Sequence, residues 1–348
     1  MNNQDYWEDR AAQQMYEDMK TAEEAADDIR RLYNRASKYI QLQGQEIFEA
    51  FRRQTGLSED EALRYLSRTQ SPEDLQELMS YVNQMDDPVK RQEASNWLKA
   101  SATQSRLAKL AALQNAIDHL VPTLYSEELK IHRRTYEEII SDAYLHKTFD
   151  IQKYSGYGQR IPPLDGERIN ELMRRRWLGS NYSARLWGNT TKLAQSVREE
   201  LVVSFLTGRP QLEAWRAIDG VFHKGHSAAR RLIRTESNYL ANQAQLESYK
   251  DAGIEKYIYV ATLDLKTSEV CRDLDGKTFS VKNAQPGNNY PPMHPWCRST
   301  TIAWIPKQLL EKMKRTARDP KTGRNMKVPA SMTYKEWHKK YVENRRAS

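Results

Sequence analysis

The sequence predicts a mainly α-helical protein with a small C-terminal α+β module. Three observations carry that reading. Apolar residues recur at spacings of three, four and seven through the first two thirds of the 348 residues. Runs rich in β-branched and aromatic residues occur only after Gly253. The clearest linker, with three Gly and two Pro, falls at 153–166. The fold expected is an elongated helical N-terminal region followed by a short antiparallel sheet near 256–305.

The elements follow in order. Residues 20–55 carry Ile29, Leu32, Tyr33, Ala36, Ile40, Ile47 and Phe51 on one helical stripe, with Gly56 as the stop. Ser58 and Glu61 form a capping box for the next helix, and Ser71-Pro72 starts another. After a break at Met85–Pro88, a helix over 89–120 is expected to end at Val121-Pro122. Ser126-Glu127-Glu128 caps its successor. The stretch 153–166 is a linker, helical periodicity returns over 167–206, and Leu206–Pro210 breaks it. A helix over 227–252 has Gly253 as its C′ residue. Strands are expected at 256–262, at 277–281 after an Asp275-Gly276 turn, and at 300–305. The segments are therefore a helical region 1–152, a linker 153–166, a helical connector 167–226, an α+β module 227–305 and a basic tail 306–348.

Composition narrows the function classes. Hydrophobic residues make up 39% and charged residues 29%, with a mean hydropathy of −0.85. These values suit long polar helices and assembly surfaces. No run of about 18 apolar residues exists, so no transmembrane helix or membrane partner is expected. The acidic N-terminus lacks the apolar core of a signal peptide. Two cysteines do not make a secreted disulfide scaffold, which points to a reducing cytoplasm. The net charge of +8 is uneven. Residues 306–348 hold 13 Lys and Arg against 4 Asp and Glu, a net +9, and the remainder carries −1. Such a tail suggests a polyanion contact through Lys307, Lys312, Lys314, Arg315, Arg318, Lys321, Arg324 and Lys327. The 19 Tyr and 8 Trp sit at helical spacing or in strands and are assigned to packing rather than base stacking.

The reactive groups gather late in the chain: His223, His226, Asp264, Cys271, Asp273, Asp275, His294 and Cys297. His294-Pro295-Trp296-Cys297 has a spacing that can hold one metal ion, with Cys271 as third ligand and Asp264, Asp273 or His226 as fourth; zinc is the cofactor such a set would take. Ser268 stands where a Cys-x-x-Cys partner of Cys271 would be. Inert buried thiols, a disulfide and a Cys–His nucleophile remain as alternatives. Pro291, Pro292 and Pro295 make the loop rigid. Arg298 is expected to pair with the Asp273-Leu274-Asp275 turn, and Arg230, Arg231, Arg234 and Glu236 to supply further pairs.

The combination of Arg234-Thr235-Glu236, Gly253, Thr262, Asp264, Thr267, Cys271, Leu274-Asp275-Gly276 and Pro291-Pro292-x-His294-Pro295-x-Cys297-Arg298 resembles the C-terminal domain of phage minor head, or head morphogenesis, proteins of the Mu-F type. The resemblance spans about 227–342. It implies that Arg234, Glu236, Asp275, Gly276, Pro292, Pro295 and Arg298 structure the module. It also implies thiols at 268 and 299, where this chain has serine. The function implied is that of a minor capsid protein, inside the head near the portal and assembled in the host cytoplasm. Its partners would be the portal, scaffold or major capsid proteins, and double-stranded DNA bound without sequence reading. No enzymatic activity is expected. The alternative is a metal-dependent nuclease or Cys–His hydrolase using Cys271, His294 and Cys297. A DNA-binding regulator fits less well, because no helix-turn-helix pattern accompanies the basic tail.

Overall fold

A computed structural model describes residues 6–55, 58, 101–155, 164–206, 211–304 and 314–343. The expectations for 59–100, including the Ser71-Pro72 start and the Met85–Pro88 break, lie outside these residues, as does most of the linker. Among the described residues five helices precede the first strand: α1 (Tyr6–Thr55), α2 (Ser101–Ser155), α3 (Gly166–Arg174), α4 (Tyr182–Leu206) and α5 (Gln211–Asp251). Then come β1 (Lys256–Val260), α6 (Glu269–Leu274), β2 (Thr278–Ser280), β3 (Thr300–Ala303), β4 (Lys314–Arg318), β5 (Asn325–Pro329) and α7 (Tyr334–His338). The mainly α architecture with a small α+β module is as expected.

The chain forms two compact units. One takes residues 1–27, 131–185 and 230–348; the other takes 28–130 and 186–229. In the second unit, Ile29, Leu32, Tyr33, Ile40, Leu113, Ile117, Leu186, Leu201, Ile218 and Phe222 form the buried core. Gly44 passes so close to the Trp215 indole that no side chain fits there. Tyr33 donates to the buried Glu128 at 2.9 Å.

Two helix boundaries correct the sequence reading. Helix α2 runs through Pro122 instead of ending before it. Leu113 and Ile117 before the proline and Leu124 after it are all buried. Burial on both sides outweighs the roughly 3 kcal/mol that an interior proline costs. Ser126-Glu127-Glu128 is therefore interior and caps nothing, with Glu128 drawn inward by Tyr33. The 167–206 periodicity is split at Trp177–Ser180, where the two residues exchange backbone hydrogen bonds of 3.0 and 3.3 Å. Leu178 (φ 47°) and Gly179 (φ 81°) both adopt the left-handed conformation that this tight turn requires. Helix α5 also begins at Gln211, earlier than the expected 227.

In the first unit the middle of α5 is the axis. Every residue from Thr235 to Ser248 is buried, although nine of the fourteen are polar. Several of their polar groups are paired: Asn238 Nδ2 donates to Ser299 O at 3.2 Å, Thr300 Oγ1 to Gln245 Oε1 at 3.2 Å, and Trp177 Nε1 to Glu236 at 3.0 Å. Arg185 also pairs with Glu236, and Arg234 with Glu23 at 2.7 Å. These are the partners of two residues expected to structure the module.

The sheet has order β2-β1-β3, all antiparallel, with Tyr257 opposite Phe279 and Ala303. Tyr257, Tyr249, Tyr290, Leu246, Val281 and Ile151 pack between it and α5. The tail is folded where its atoms are described, which corrects the picture of an arm. Strands β4 and β5 pair antiparallel, with Arg315 opposite Val328. Their turn is set by Asp319, whose Oδ1 accepts from Lys321 N and Thr322 N at 2.9 Å, and by Gly323 at φ +67°. Ala317 and Val328 bury with Leu263, Tyr334 and Trp337.

Candidate metal centre

The 291–300 loop is fixed at several points. Before it, Tyr290 donates to Asn242 O at 2.7 Å and meets Tyr257 edge-on at 5.1 Å. The Cys297 amide closes a turn on His294 O at 3.1 Å. Trp296 takes φ 65°, and its amide donates to Thr235 Oγ1 at 3.2 Å. Its ring lies 5.6 and 5.9 Å from the Arg230 and Arg234 guanidinium carbons.

Arg298 clamps the loop, though on a different carboxylate from the one expected. It makes a bidentate pair with Asp264, at 2.5 and 2.8 Å, rather than meeting the Asp273–Asp275 turn. Burial works to raise the Asp264 carboxyl, but the Arg298 hydrogen bonds outweigh it and hold the group below its ordinary range. Asp275 instead binds Arg315, with both Nη atoms at 3.0 Å from its oxygens. The reason is spatial: the hairpin places Arg315 over the end of α6, a partner invisible from local sequence.

Within this frame Cys271, His294 and Cys297 converge. Their ligand atoms all lie within 4.8 Å of one another. Cys271 Sγ is 3.8 Å from Cys297 Sγ and 3.4 Å from His294 Nε2. Both cysteines are free and buried. Ser268 Oγ reaches His294 Nε2 at 2.8 Å, so this serine faces the cluster. His294 Nδ1 meets the carbonyl Pro295 O at 2.7 Å, an acceptor only, so in the neutral ring Nε2 is the acceptor nitrogen and faces Cys271 Sγ. Tyr259 OH donates to Cys271 Sγ at 3.3 Å. The hydrogen bond between the two thiols eases deprotonation of Cys271 and opposes that of Cys297. A small open cleft, lined by Lys266, Ser268, Cys271, His294, Trp296 and Arg298, lies beside them.

Asp264, Asp273 and His226 are not in this group, which corrects the expected fourth ligands. Asp264 is committed to Arg298, and Asp273 sits in the surface pair with Lys335 at 3.6 Å. His226 and His223 belong to the other unit. Arg315, expected to contact DNA, is buried on Asp275. Lys314, Arg318, Lys321, Arg324 and Lys327 are exposed, and Lys307 and Lys312 lie outside the described residues. Two residues that matter were not singled out from the sequence: Tyr259, which donates to Cys271, and Arg315 as a structural group. The strand pattern "KRTAR" was the available signal for the second, since it points alternate residues inward.

Residues 190–302 match the model of a family described as phage Mu protein F like protein. This supports a Mu-F-type phage head morphogenesis protein. The Mu-F-like stretch begins earlier than the expected 227, taking in part of α4 and all of α5. It includes the whole 291–300 loop and stops short of the β4–β5 hairpin. No curated protein and no solved structure matches the chain.

Proposed function

We propose that this Mu-F-type protein is a structural minor capsid protein. It sits inside the phage head, associates with the portal and other head proteins, and assists head assembly and DNA packaging or ejection. The carrying observation is the family match over 190–302. The role is read as structural: the Trp296 and Cys297 amides and the Arg298 guanidinium are spent on holding the loop. Among the described residues no helix is long and apolar enough to cross a membrane.

The hairpin gives the DNA contact a definite surface. Strand alternation puts Lys314, Thr316 and Arg318 on one face, with Lys327 opposite Thr316. Arg315, Ala317 and Val328 fill the other face. Lys321 and Arg324 extend the exposed basic face around the turn. This arrangement suits phosphates and offers nothing to read bases. Five contacts predict a log K versus log salt slope of about −4 to −5. Affinity capture of the portal from co-expressing cells tests the main claim; retention is expected, and failure in every assembly state would remove the portal association. Reversing Lys314, Arg318 and Lys327 to Glu should abolish salt-sensitive DNA binding, and unchanged binding would remove the hairpin from that role.

A further inference from the structure

We propose that Cys271, His294 and Cys297 bind one zinc ion, with the fourth position at Ser268 and the cleft. The inference does not depend on the head-protein reading. In a tetrahedral site with Zn–S near 2.3 Å and Zn–N near 2.05 Å, sulfurs stand about 3.8 Å apart and sulfur to nitrogen about 3.6 Å. The cluster shows 3.8 Å between the sulfurs and 3.4 Å from Cys271 Sγ to His294 Nε2. Both edges that meet at Cys271 thus already match the required polyhedron, and the third pair, Cys297 and His294, lies within 4.8 Å.

The surroundings are those of a ligand set. Metal-bound histidines are oriented by a hydrogen bond on the other ring nitrogen. His294 has one from Nδ1 to Pro295 O at 2.7 Å, and Nε2 is the atom aimed at the thiols. Tyr259 OH supplies a hydrogen bond to Cys271 Sγ of the kind that steadies a thiolate. The two thiols, each about 2% exposed, belong to a small cluster with Tyr259 and Ala261. Binding Zn²⁺ releases the two thiol protons to solvent, and the two thiolates then neutralise the ion's charge. Ser268 Oγ lies 2.8 Å from His294 Nε2 on the cleft side. It is placed to ligate directly or to hold a water in the fourth position. The ion would tie α6, which carries Cys271, to the loop that carries the other two ligands.

The full chain, expressed with zinc and purified under reducing conditions, should contain about one zinc per molecule. Cobalt substitution of the wild-type protein should give the intense visible bands of a tetrahedral thiolate site. Cys271→Ser and His294→Gln should each lose the metal, while Asp264→Asn should keep it. Because a variant can lose metal by unfolding, the wild-type cobalt spectrum and zinc content decide. No zinc above background together with no thiolate–cobalt bands would overturn the proposal. So would a Cys271–Cys297 disulfide in the reduced preparation, or zinc retained in folded Cys271→Ser.

Discussion

Arg315→Ala tests whether the basic hairpin is an integral part of the module. Asp275 has a fully buried side chain, and Arg315 is 8% exposed. The carboxylate accepts four hydrogen bonds: two from Arg315 at 3.0 Å, one from Ala261 N at 2.8 Å and one from Tyr334 N at 2.8 Å. Arg315 also donates to Met332 O at 3.2 Å and to Ala261 O. One ion pair thus joins α6, the end of β1, β4 and the start of α7. Truncation leaves the charge buried with half its donors. Breaking such a pair costs about 3–5 kcal/mol, and the two remaining backbone donors place this case near 3 kcal/mol. At about 1.4 kcal/mol per tenfold, amide protection in β4, β5 and α7 should fall by roughly a hundredfold. Hydrogen exchange with peptide-level resolution over 314–343 reads this directly. The Asp275→Asn/Arg315→Met double variant should recover much of the loss, since it removes both charges. Protection within threefold of wild type in Arg315→Ala would refute the reasoning.

Two further perturbations follow from the cores. Burial pushes the Asp18 carboxyl up from 3.8 to about 7, against the Gln14 hydrogen bond that lowers it. The folded state therefore keeps a proton that the unfolded chain releases near pH 4, so stability should fall as pH rises from about 4 to 7 and stay low above. Asp18→Asn should flatten that profile and raise stability at pH 8 by an order of 2–4 kcal/mol, measured by denaturant unfolding at several pH values; parallel profiles for the two proteins would contradict it. Gly44→Ala gains helix propensity, but its Cβ would stand 2.0 Å from the edge of the Trp215 ring. A net loss of about 1–3 kcal/mol is expected in thermal unfolding, and a higher Tm would count against the packing described.

What the sequence made legible follows from which interactions are local. The sheet near 256–305 was readable because "KYIYV" and "TTIA" are rich in β-branched and aromatic residues, which suit paired strands. Gly253 and Gly276 were readable because their left-handed φ values, 67° and 76°, suit glycine. The ends of α2 and the start of α5 were not readable. Pro122 and the glycines at 220 and 225 are local breakers, and long-range packing overrides them. The buried polar middle of α5 was hidden for the same reason, since the partners of Asn238 and Glu236 lie at Ser299, Trp177 and Arg185. At the site, the Cys271–His294–Cys297 convergence was legible as spacing. The pairings Arg298–Asp264 and Arg315–Asp275 were not, because each carboxylate chooses among arginines only in three dimensions. The hairpin was masked by its charge: "ARDPKTGRNMKV" carries a turn signal between alternating strands, and counting lysines and arginines obscured it.

The central claim is a place in the phage head. High-resolution imaging of the portal region in proheads and virions, with protein content checked by mass spectrometry, tests it most directly. Density is expected on the inner side of the portal, into which the β2-β1-β3 sheet, α5 and the β4–β5 hairpin fit. Absence of the chain from both particles would contradict it.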